Sequence, residues 1–237
     1  MKAPRSFLHW LGRATEERDA SHDLGHFLRV RDLALDLADQ APAPLLCAAQ
    51  RWRRPRYLLE IAALSHDVLD HKYVTDPATA TVALRRALLS EAGLVPAEVD
   101  AVVLVVNNIS LSQELQGALA SEALGAQNLQ GLRDLISDAD KLEALGFQGL
   151  RRLAQYHQAT RALLRREPKL TPETFRAYLT RECRRHLLHR AAYVRTPPGK
   201  DRAALAHEEL LMILEDHGPA GPWADLWAEF GPKTDHR

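Results

Sequence analysis

The sequence has few cysteines, no excess of one charge and no long apolar run, and each shortage excludes a class of protein. Its 237 residues include two cysteines, Cys47 and Cys183, which stand far apart and form no Cys-x-x-Cys pair. This excludes a disulfide scaffold and a thiolate zinc site, and is typical of a reducing compartment. Lys plus Arg and Asp plus Glu both number 31, so the net charge provides no general attraction to nucleic acid or to an anionic membrane.

The apolar runs are also short. The longest candidate, residues 101–106, is far below the roughly 18 residues that a membrane-spanning helix needs. Residues 1–10 lack the apolar centre of a signal peptide. We therefore expect a cytoplasmic protein that is a monomer or a homodimer and binds neither membrane nor nucleic acid.

Apolar residues recur at helical spacing along almost the whole chain, which predicts an all-α fold. We expect one compact helical bundle over residues 1–237. The strand-like run at 102–106 follows Pro96 and Glu98, which favour a helix start there instead. The basic stretches 51–56 and 181–190 are typical of solvated faces. Helices are predicted over residues 22–39, 57–69, 78–92, 96–106, 129–145, 150–165, 172–192 and 202–216.

A histidine–aspartate pair, His66 and Asp67, follows an apolar run in the segment LLEIAALSHDVLDHKY, residues 58–73. A buried carboxylate without a partner costs several kcal/mol, so Asp67 needs a cation or several hydrogen bonds. For this pair alone, an ion pair with an arginine and simple packing of His66 would be the more economical interpretation.

Two further polar residues fall beside or within apolar helix faces. His26 is in line with Val30 and Leu33, and Asp140 stands in a stripe with Ile136 and other apolar residues. One divalent cation explains these placements together, whereas separate salt bridges would have to arise three times. Two imidazoles and two carboxylates suit an octahedral ion with positions left for water, with Mn²⁺ favoured over Mg²⁺, Ni²⁺, Co²⁺ and Fe²⁺.

The order His26, His66–Asp67, Asp140 resembles the ligand pattern of the HD superfamily of metal-dependent phosphohydrolases. The resemblance extends to the surrounding segments SHDLGHFLRV, AALSHDVLDHKY, NNISLSQEL and SDADKLEALGFQGLRR, and covers about residues 20–155. His66 follows His26 by 40 residues and Asp140 follows Asp67 by 73, separations ordinary for that family. The resemblance implies a helical HD-type domain in which these four side chains hold one divalent metal.

Within that superfamily, the chain most resembles the branch of small, stand-alone HD proteins that act on nucleoside triphosphates. This resemblance implies a small-molecule nucleotide substrate, a (d)NTP cleaved to a monophosphate and pyrophosphate. Phe147, Gln148 and Leu150 stand where that branch has a glycine- and alanine-rich stretch, which leaves the identity of the substrate open. Two alternatives to this function are kept. One is a 5′-nucleotidase or cyclic-nucleotide phosphodiesterase of the same fold. The other is a non-catalytic sensor that binds metal and nucleotide.

The same resemblance assigns roles outside the metal shell. Asp70 is placed as the general base or the residue that orients water, and Lys72 beside it as a catalytic residue that contacts phosphate. Arg152 is placed as a phosphate-binding residue, and Arg29, one turn beyond His26, is a weaker candidate of the same kind. A solvated turn carboxylate at Asp70, or a hydrogen-bond partner of His66, remains the alternative, as does a surface role for Arg152.

Several other residues are open to functional and structural interpretations. His22 stands four residues before His26 and is either a partner of the site or a plain helix N-terminal residue. His71 is not assigned to a second metal, since the two-metal HD branches need further histidines before Asp140 and none follows His71 there. Asp138 is expected to support the site or to be exposed. Residues 197–200, Pro-Pro-Gly-Lys, are predicted to form a loop.

Overall fold

The regular structure is helical throughout the described residues. The computed structural model describes residues 2–19, 22–41, 52–160, 170–216, 218 and 220–231. None of these residues lies in a strand, which confirms the all-α prediction. They form α1 Arg5–Ala14, α2 Leu24–Gln40, α3 Pro55–Ala63, α4 Pro77–Ser90, α5 Pro96–Val106, α6 Leu111–Leu115, α7 Ser121–Ala126, α8 Gln130–Glu143, α9 Gly146–Ala159, α10 Pro172–His186, a 3₁₀ helix Leu188–Tyr193, α11 Pro197–Glu215 and α12 Pro222–Phe230.

The valine-rich run at 102–106 is helical because the residues before it, 95–98, favour the start of a helix. Pro96 occupies the first turn of α5, where the missing N–H costs nothing. The carboxylate of Glu98 accepts a hydrogen bond from the backbone N–H of Val95 at 3.2 Å. Burial of valines 102, 103, 105 and 106 then holds the helix in the core, and the helix predicted over 96–106 is confirmed.

The helix predicted over 57–69 is too long, since α3 ends at Ala63. Ser65 Oγ donates to the Ile61 carbonyl at 2.8 Å, and the following N–H groups bond three residues back. His66 N reaches the Ala63 carbonyl, and Asp70 N reaches the Asp67 carbonyl. These short-range bonds replace the α-helical pattern, so the His66–Asp67 pair lies in a turn. We call residues 64–70 the ligand turn.

The predicted loop at residues 197–200 is also wrong, because α11 begins at Pro197. Proline is tolerated at a helix start. Thr196 caps the new helix through its Oγ1, which accepts from Gly199 N at 3.2 Å. Other boundaries also shift: the helix predicted over 150–165 spans 146–159, and 172–192 divides into α10 and the 3₁₀ helix. Residues 161–165 lie outside the described residues.

The chain falls into two units by its internal contacts. The first comprises residues 1–18, 22–140 and 195–199, and the second residues 19–21, 141–194 and 200–237. Within the first unit α3 packs on α2 and α5, and α4 packs on α5 and α1; within the second, α9, α10 and α12 pack together. The assignment of 1–237 to one domain stays a prediction. No helix in the described ranges is both long and apolar enough to cross a membrane.

Candidate metal centre

His26 enters the site from the first turn of α2. Asp23 caps this helix, and its Oδ1 accepts from the backbone N–H of His26 at 3.0 Å. The side chain of His26 is completely buried, beside Phe27 and Val30 on the apolar face of the helix. The capping bond and the packing of that face fix the direction in which the imidazole projects.

His66 is oriented by its own turn. Its Nδ1 lies 2.9 Å from the Ala63 carbonyl, and because a carbonyl oxygen only accepts, Nδ1 carries the hydrogen. In the neutral ring, Nε2 then has a free lone pair, which is the arrangement a metal-binding histidine requires. The Nε2 atom faces His26 Nε2 at 3.0 Å.

The two carboxylates of the group belong to different elements. Asp67 lies in the ligand turn and Asp140 lies in α8. His26 Nε2 lies 3.6 Å from Asp67 Oδ2 and 3.7 Å from Asp140 Oδ1. His66 Nε2 lies 3.4 Å and 3.9 Å from the same two atoms. One ligand atom from each of the four residues falls within 4.8 Å of the others, so the structure brings together all four predicted metal ligands.

These distances fit a single ion. With metal–ligand bonds of about 2.1 Å, neighbouring ligands of an octahedron lie about 3.0 Å apart and opposite ones about 4.2 Å. The five separations that involve a histidine nitrogen, 3.0–3.9 Å, fall within that range. The 4.8 Å limit for the whole group leaves the two carboxylate oxygens to approach each other by up to about 0.6 Å around an ion. Two imidazole nitrogens and two carboxylate oxygens are a donor set for a divalent cation of the Mn²⁺ or Fe²⁺ type.

The electrostatics of the group also favour a cation. Burial alone would lower the pKa of His66, but the charge of Asp67, its hydrogen bond and the charge of Asp140 outweigh burial and raise the pKa to about 9. Burial alone would raise the pKa of Asp67, but His66 and His26 hold it well below its usual range. The carboxylates therefore stabilise positive charge between them.

Asp70 and Lys72 follow the ligand turn but are not part of the four-residue group. Asp70 Oδ1 accepts from the backbone N–H of Lys72 at 2.9 Å, and its side chain is largely buried. The Lys72 ammonium is exposed, 3.8 Å from Asp70 Oδ2. The structure thus pairs the two residues that the sequence assigns to catalysis, and their roles in catalysis stay predictions.

The two predicted phosphate-binding arginines occupy different surroundings. Arg29 is an exposed residue of α2, one turn after His26, with its Nη1 3.0 Å from the position that a Cβ on Gly25 would take. Arg152 belongs to the second unit, where its guanidinium forms an ion pair with the buried Glu143. The interpretation of Arg152 as a surface arginine is therefore wrong, because its side chain is only 14% exposed.

Three further positions differ from or add to the predictions. Asp138 is buried, and it accepts from the backbone N–H groups of Arg195 at 2.9 Å and Thr196 at 2.7 Å, so exposure is excluded. His22 precedes the helix, and its Nδ1 is 2.8 Å from the Tyr73 hydroxyl. Arg18, which no motif marks, donates to two carbonyls of the ligand turn.

The two basic stretches, 51–56 and 181–190, contain both solvated arginines and an arginine with a structural ion pair. Arg184 and Arg185 are exposed, as expected for a solvated face, and Arg56 pairs with the exposed Asp39. Arg54 instead forms an ion pair with the buried Glu98 at 2.6 Å, so this residue of the 51–56 stretch is structural. Arg51 lies outside the described residues.

The helical fold is shared with proteins of known structure. No family model matches the chain. The uncharacterized protein YpgQ of Bacillus subtilis is 26% identical over 152 residues, which are 64% of this chain and 65% of YpgQ. A crystal structure from Lactobacillus plantarum has a TM-score of 0.62 at 21% identity over 89% of this chain and 92% of that one. YpgQ in complex with ADP has a TM-score of 0.60 at 19% identity over 88% and 92%. These likenesses establish the shared helical fold.

Proposed function

We propose that the protein is a metal-dependent phosphohydrolase of the HD type that acts on nucleotides. The observation that carries the proposal is the group formed by His26, His66, Asp67 and Asp140, whose ligand atoms lie within 4.8 Å of one another. Two carboxylates that are only 23% and 26% exposed and face two buried imidazoles are costly to hold together unless a cation joins them. Phosphoryl transfer is a reaction that uses such an ion.

Four protein ligands leave about two positions of an octahedral shell for water and substrate. A divalent cation held by these four side chains would supply Lewis-acid chemistry to water and to a phosphoryl oxygen. The chain's own contribution is to hold the ion with the two histidines in fixed orientations. His66 is fixed through its Nδ1 bond to Ala63, and His26 through the cap of α2.

Asp70 is the proposed general base, or orients the attacking water. Its Oδ1 is engaged by the Lys72 N–H, which leaves the other oxygen, Oδ2, to accept a proton while the turn stays in place. Lys72, whose ammonium is exposed, is proposed to contact the phosphate and offset charge on its non-bridging oxygens. Arg29 is proposed as a weaker contact of the same kind from α2.

Nucleotides are the proposed substrates, and (d)NTPs the proposed class, cleaved to a monophosphate and pyrophosphate. The ADP complex of YpgQ supports a nucleotide as ligand, since a related fold accommodates one. The alternatives within the fold, a 5′-nucleotidase or a cyclic-nucleotide phosphodiesterase, differ in the product released. A non-catalytic metal and nucleotide sensor would bind without turnover.

The test is a substrate screen with separate detection of pyrophosphate and phosphate. The protein is stripped with a chelator and assayed on (d)NTPs, monophosphates and cyclic nucleotides after addition of Mn²⁺, Mg²⁺, Co²⁺, Ni²⁺ or Fe²⁺. We expect pyrophosphate from triphosphates, dependent on added metal and absent in Asp140→Ala. Phosphate released from monophosphates alone would replace the proposed reaction with a nucleotidase. Metal binding with no turnover on any substrate would favour the sensor.

A further inference from the structure

Arg18 holds the ligand turn by its backbone. Its Nη1 donates to the Asp67 carbonyl at 2.9 Å and its Nη2 donates to the Val68 carbonyl at 3.1 Å. The planar guanidinium presents its donors in a rigid fork. It therefore fixes two consecutive carbonyl groups, the first of which belongs to a proposed metal ligand.

The guanidinium is itself held by rings that contact the site. It lies over the Tyr73 ring at 4.7 Å from the centroid and over the Phe27 ring at 5.6 Å. The Phe27 ring packs against both imidazoles, at 5.7 Å from His26 and 5.1 Å from His66. Arg18 thus connects the backbone under Asp67 to the packing beside the two histidines.

The ligand turn needs such support because its α-helical hydrogen bonds end at Leu64, whose N–H donates to the Glu60 carbonyl. The N–H groups of Ser65, His66, Val68 and Asp70 bond three residues back, a weaker geometry than that of an α-helix. The direction of the Asp67 side chain depends on the backbone that Arg18 restrains. A small rotation of that backbone would move the carboxylate away from the histidine nitrogens, 3.4 and 3.6 Å away.

We propose that Arg18 is a positioning residue that sets the geometry of the metal centre by clamping the Asp67 and Val68 carbonyls. This inference rests on the proposed metal binding and assigns a residue that the ligand pattern does not include. Arg18 acts through Asp67 and does not contact the ion. Residues that hydrogen-bond to metal ligands and orient them typically contribute about 10- to 100-fold to metal affinity.

The test compares Arg18→Ala and Arg18→Lys with a matched control, Arg54→Ala. Arg54 also lies over a tyrosine ring, Tyr57 at 4.9 Å, and donates to a backbone carbonyl, Gly93 at 3.2 Å. Its ion-pair partner is Glu98 of α5, and none of these three partners belongs to the ligand turn. Each purified full-length protein is titrated with Mn²⁺ by electron paramagnetic resonance and loaded with Co²⁺ for its visible spectrum. Thermal unfolding of the metal-free forms gives the stability of each variant.

We expect the Mn²⁺ Kd of Arg18→Ala to rise about 10- to 100-fold with an altered Co²⁺ spectrum, and that of Arg18→Lys to rise less. Arg54→Ala should lose stability but keep its Kd and spectrum. The amide hydrogen of Asp70, which bonds to the Asp67 carbonyl at 3.0 Å, should exchange faster in metal-free Arg18→Ala than in the control.

Two failures are distinguishable. Wild-type protein that binds neither Mn²⁺ nor Co²⁺ would overturn the proposed metal function and this inference with it. Wild-type binding with an unaltered Kd and spectrum in Arg18→Ala would overturn only the assignment of Arg18. Should Arg18→Ala not fold, Arg18→Lys decides the matter by the same two readouts, because lysine cannot reproduce the fork.

Discussion

The first unit contains two groups of charged side chains that share helix α8 and differ in how their charges are balanced. One is the metal-ligand group, whose ion-pair partners among the described residues are its own histidines. The other is formed by Arg133, Glu114, Arg195 and Asp134, which we call the paired group. Arg133 Nη2 lies 3.1 Å from Glu114 Oε2, and Nη1 lies 3.0 Å from Asp134 Oδ1.

In the paired group, protein charges satisfy one another. Arg195 Nε also donates to Glu114 at 2.6 Å, and Arg133 Nε donates to the Asn108 carbonyl at 2.7 Å. Two guanidinium groups thus face two carboxylates. In the metal-ligand group, the ion-pair partners that the described residues provide for the two carboxylates are imidazoles, which is why we propose that a cation balances their charge. The paired group fits a structural role, whereas the composition of the metal-ligand group favours the metal binding proposed above.

The sharpest way to break the comparison is Asp140→Ala. Loss of one anionic ligand should lower metal affinity by more than about 100-fold, since even an outer partner contributes about 10- to 100-fold, and should abolish turnover. Elemental analysis of bound metal and thermal unfolding are measured together. Asp36→Ala, an exposed change on α2, is the control. A folded Asp140→Ala protein with full metal and normal turnover would refute the centre.

Asp70→Asn tests whether Asp70, beside the metal-ligand group, acts as the general base. Asparagine retains an oxygen for the Lys72 N–H, so the turn is kept while the base is lost. We expect turnover to fall by about 10²- to 10⁴-fold with metal content unaltered, measured as kcat and metal stoichiometry. Activity near that of wild type would make Asp70 a bystander, and loss of metal would make it part of the metal shell.

Arg133→Met tests the paired group. Arg133 is completely buried, and its removal takes the buried cation away from both Glu114 and Asp134. Arg195, whose side chain is 41% exposed, is left to face both carboxylates, so the free energy of unfolding in urea should fall by about 3–5 kcal/mol. Arg85→Met, which breaks the exposed pair with Asp100, should cost no more than about 1 kcal/mol. The folded Arg133→Met protein should bind Mn²⁺ normally. A parallel loss of Mn²⁺ binding would show that the metal-ligand group depends on the paired group.

The smallest effect is expected from Thr196→Val, which removes the cap of α11 beside the paired group. The change keeps the buried shape but deletes the oxygen that accepts from Gly199, and should cost about 0.5–2 kcal/mol in urea unfolding. Thr81→Val, whose hydroxyl is exposed and bonds within α4, is the control. Equal stability of the two variants would show that the cap contributes nothing.

The metal-ligand group was predictable because burial and charge conflict at each of its positions. Asp140 in an apolar stripe and His26 beside one are visible in the sequence, and the structure brings them together. The turn at His66–Asp67 was not predictable, since its apolar run continues the helical spacing of α3. The hydrogen bond that ends the helix, from Ser65 to Ile61, looks no different in sequence from an exposed serine.

Long-range pairing explains what else the sequence could not show. Arg18 meets the Asp67 carbonyl across 49 residues, and a backbone acceptor leaves no trace in a side-chain pattern. Arg133 and Glu114 are 19 residues apart on different helices, with no periodic signal to connect them. The helix start at Pro197 depends on Thr196, whose hydroxyl could equally have served a loop. Helix existence followed from periodicity, whereas these contacts followed from tertiary packing.

The ligands come from chain segments separated by 40 and 73 residues, which gives the proposed ion a second consequence as a cross-link. In an unfolded chain these segments are far apart, and gathering them costs entropy that grows slowly with loop length. The cation therefore binds the folded chain in preference to the unfolded one and raises its stability by RT ln(1 + [M]/Kd), about 2.7 kcal/mol at a hundredfold excess over Kd. Resistance to heat and to proteolysis should thus follow the supply of metal.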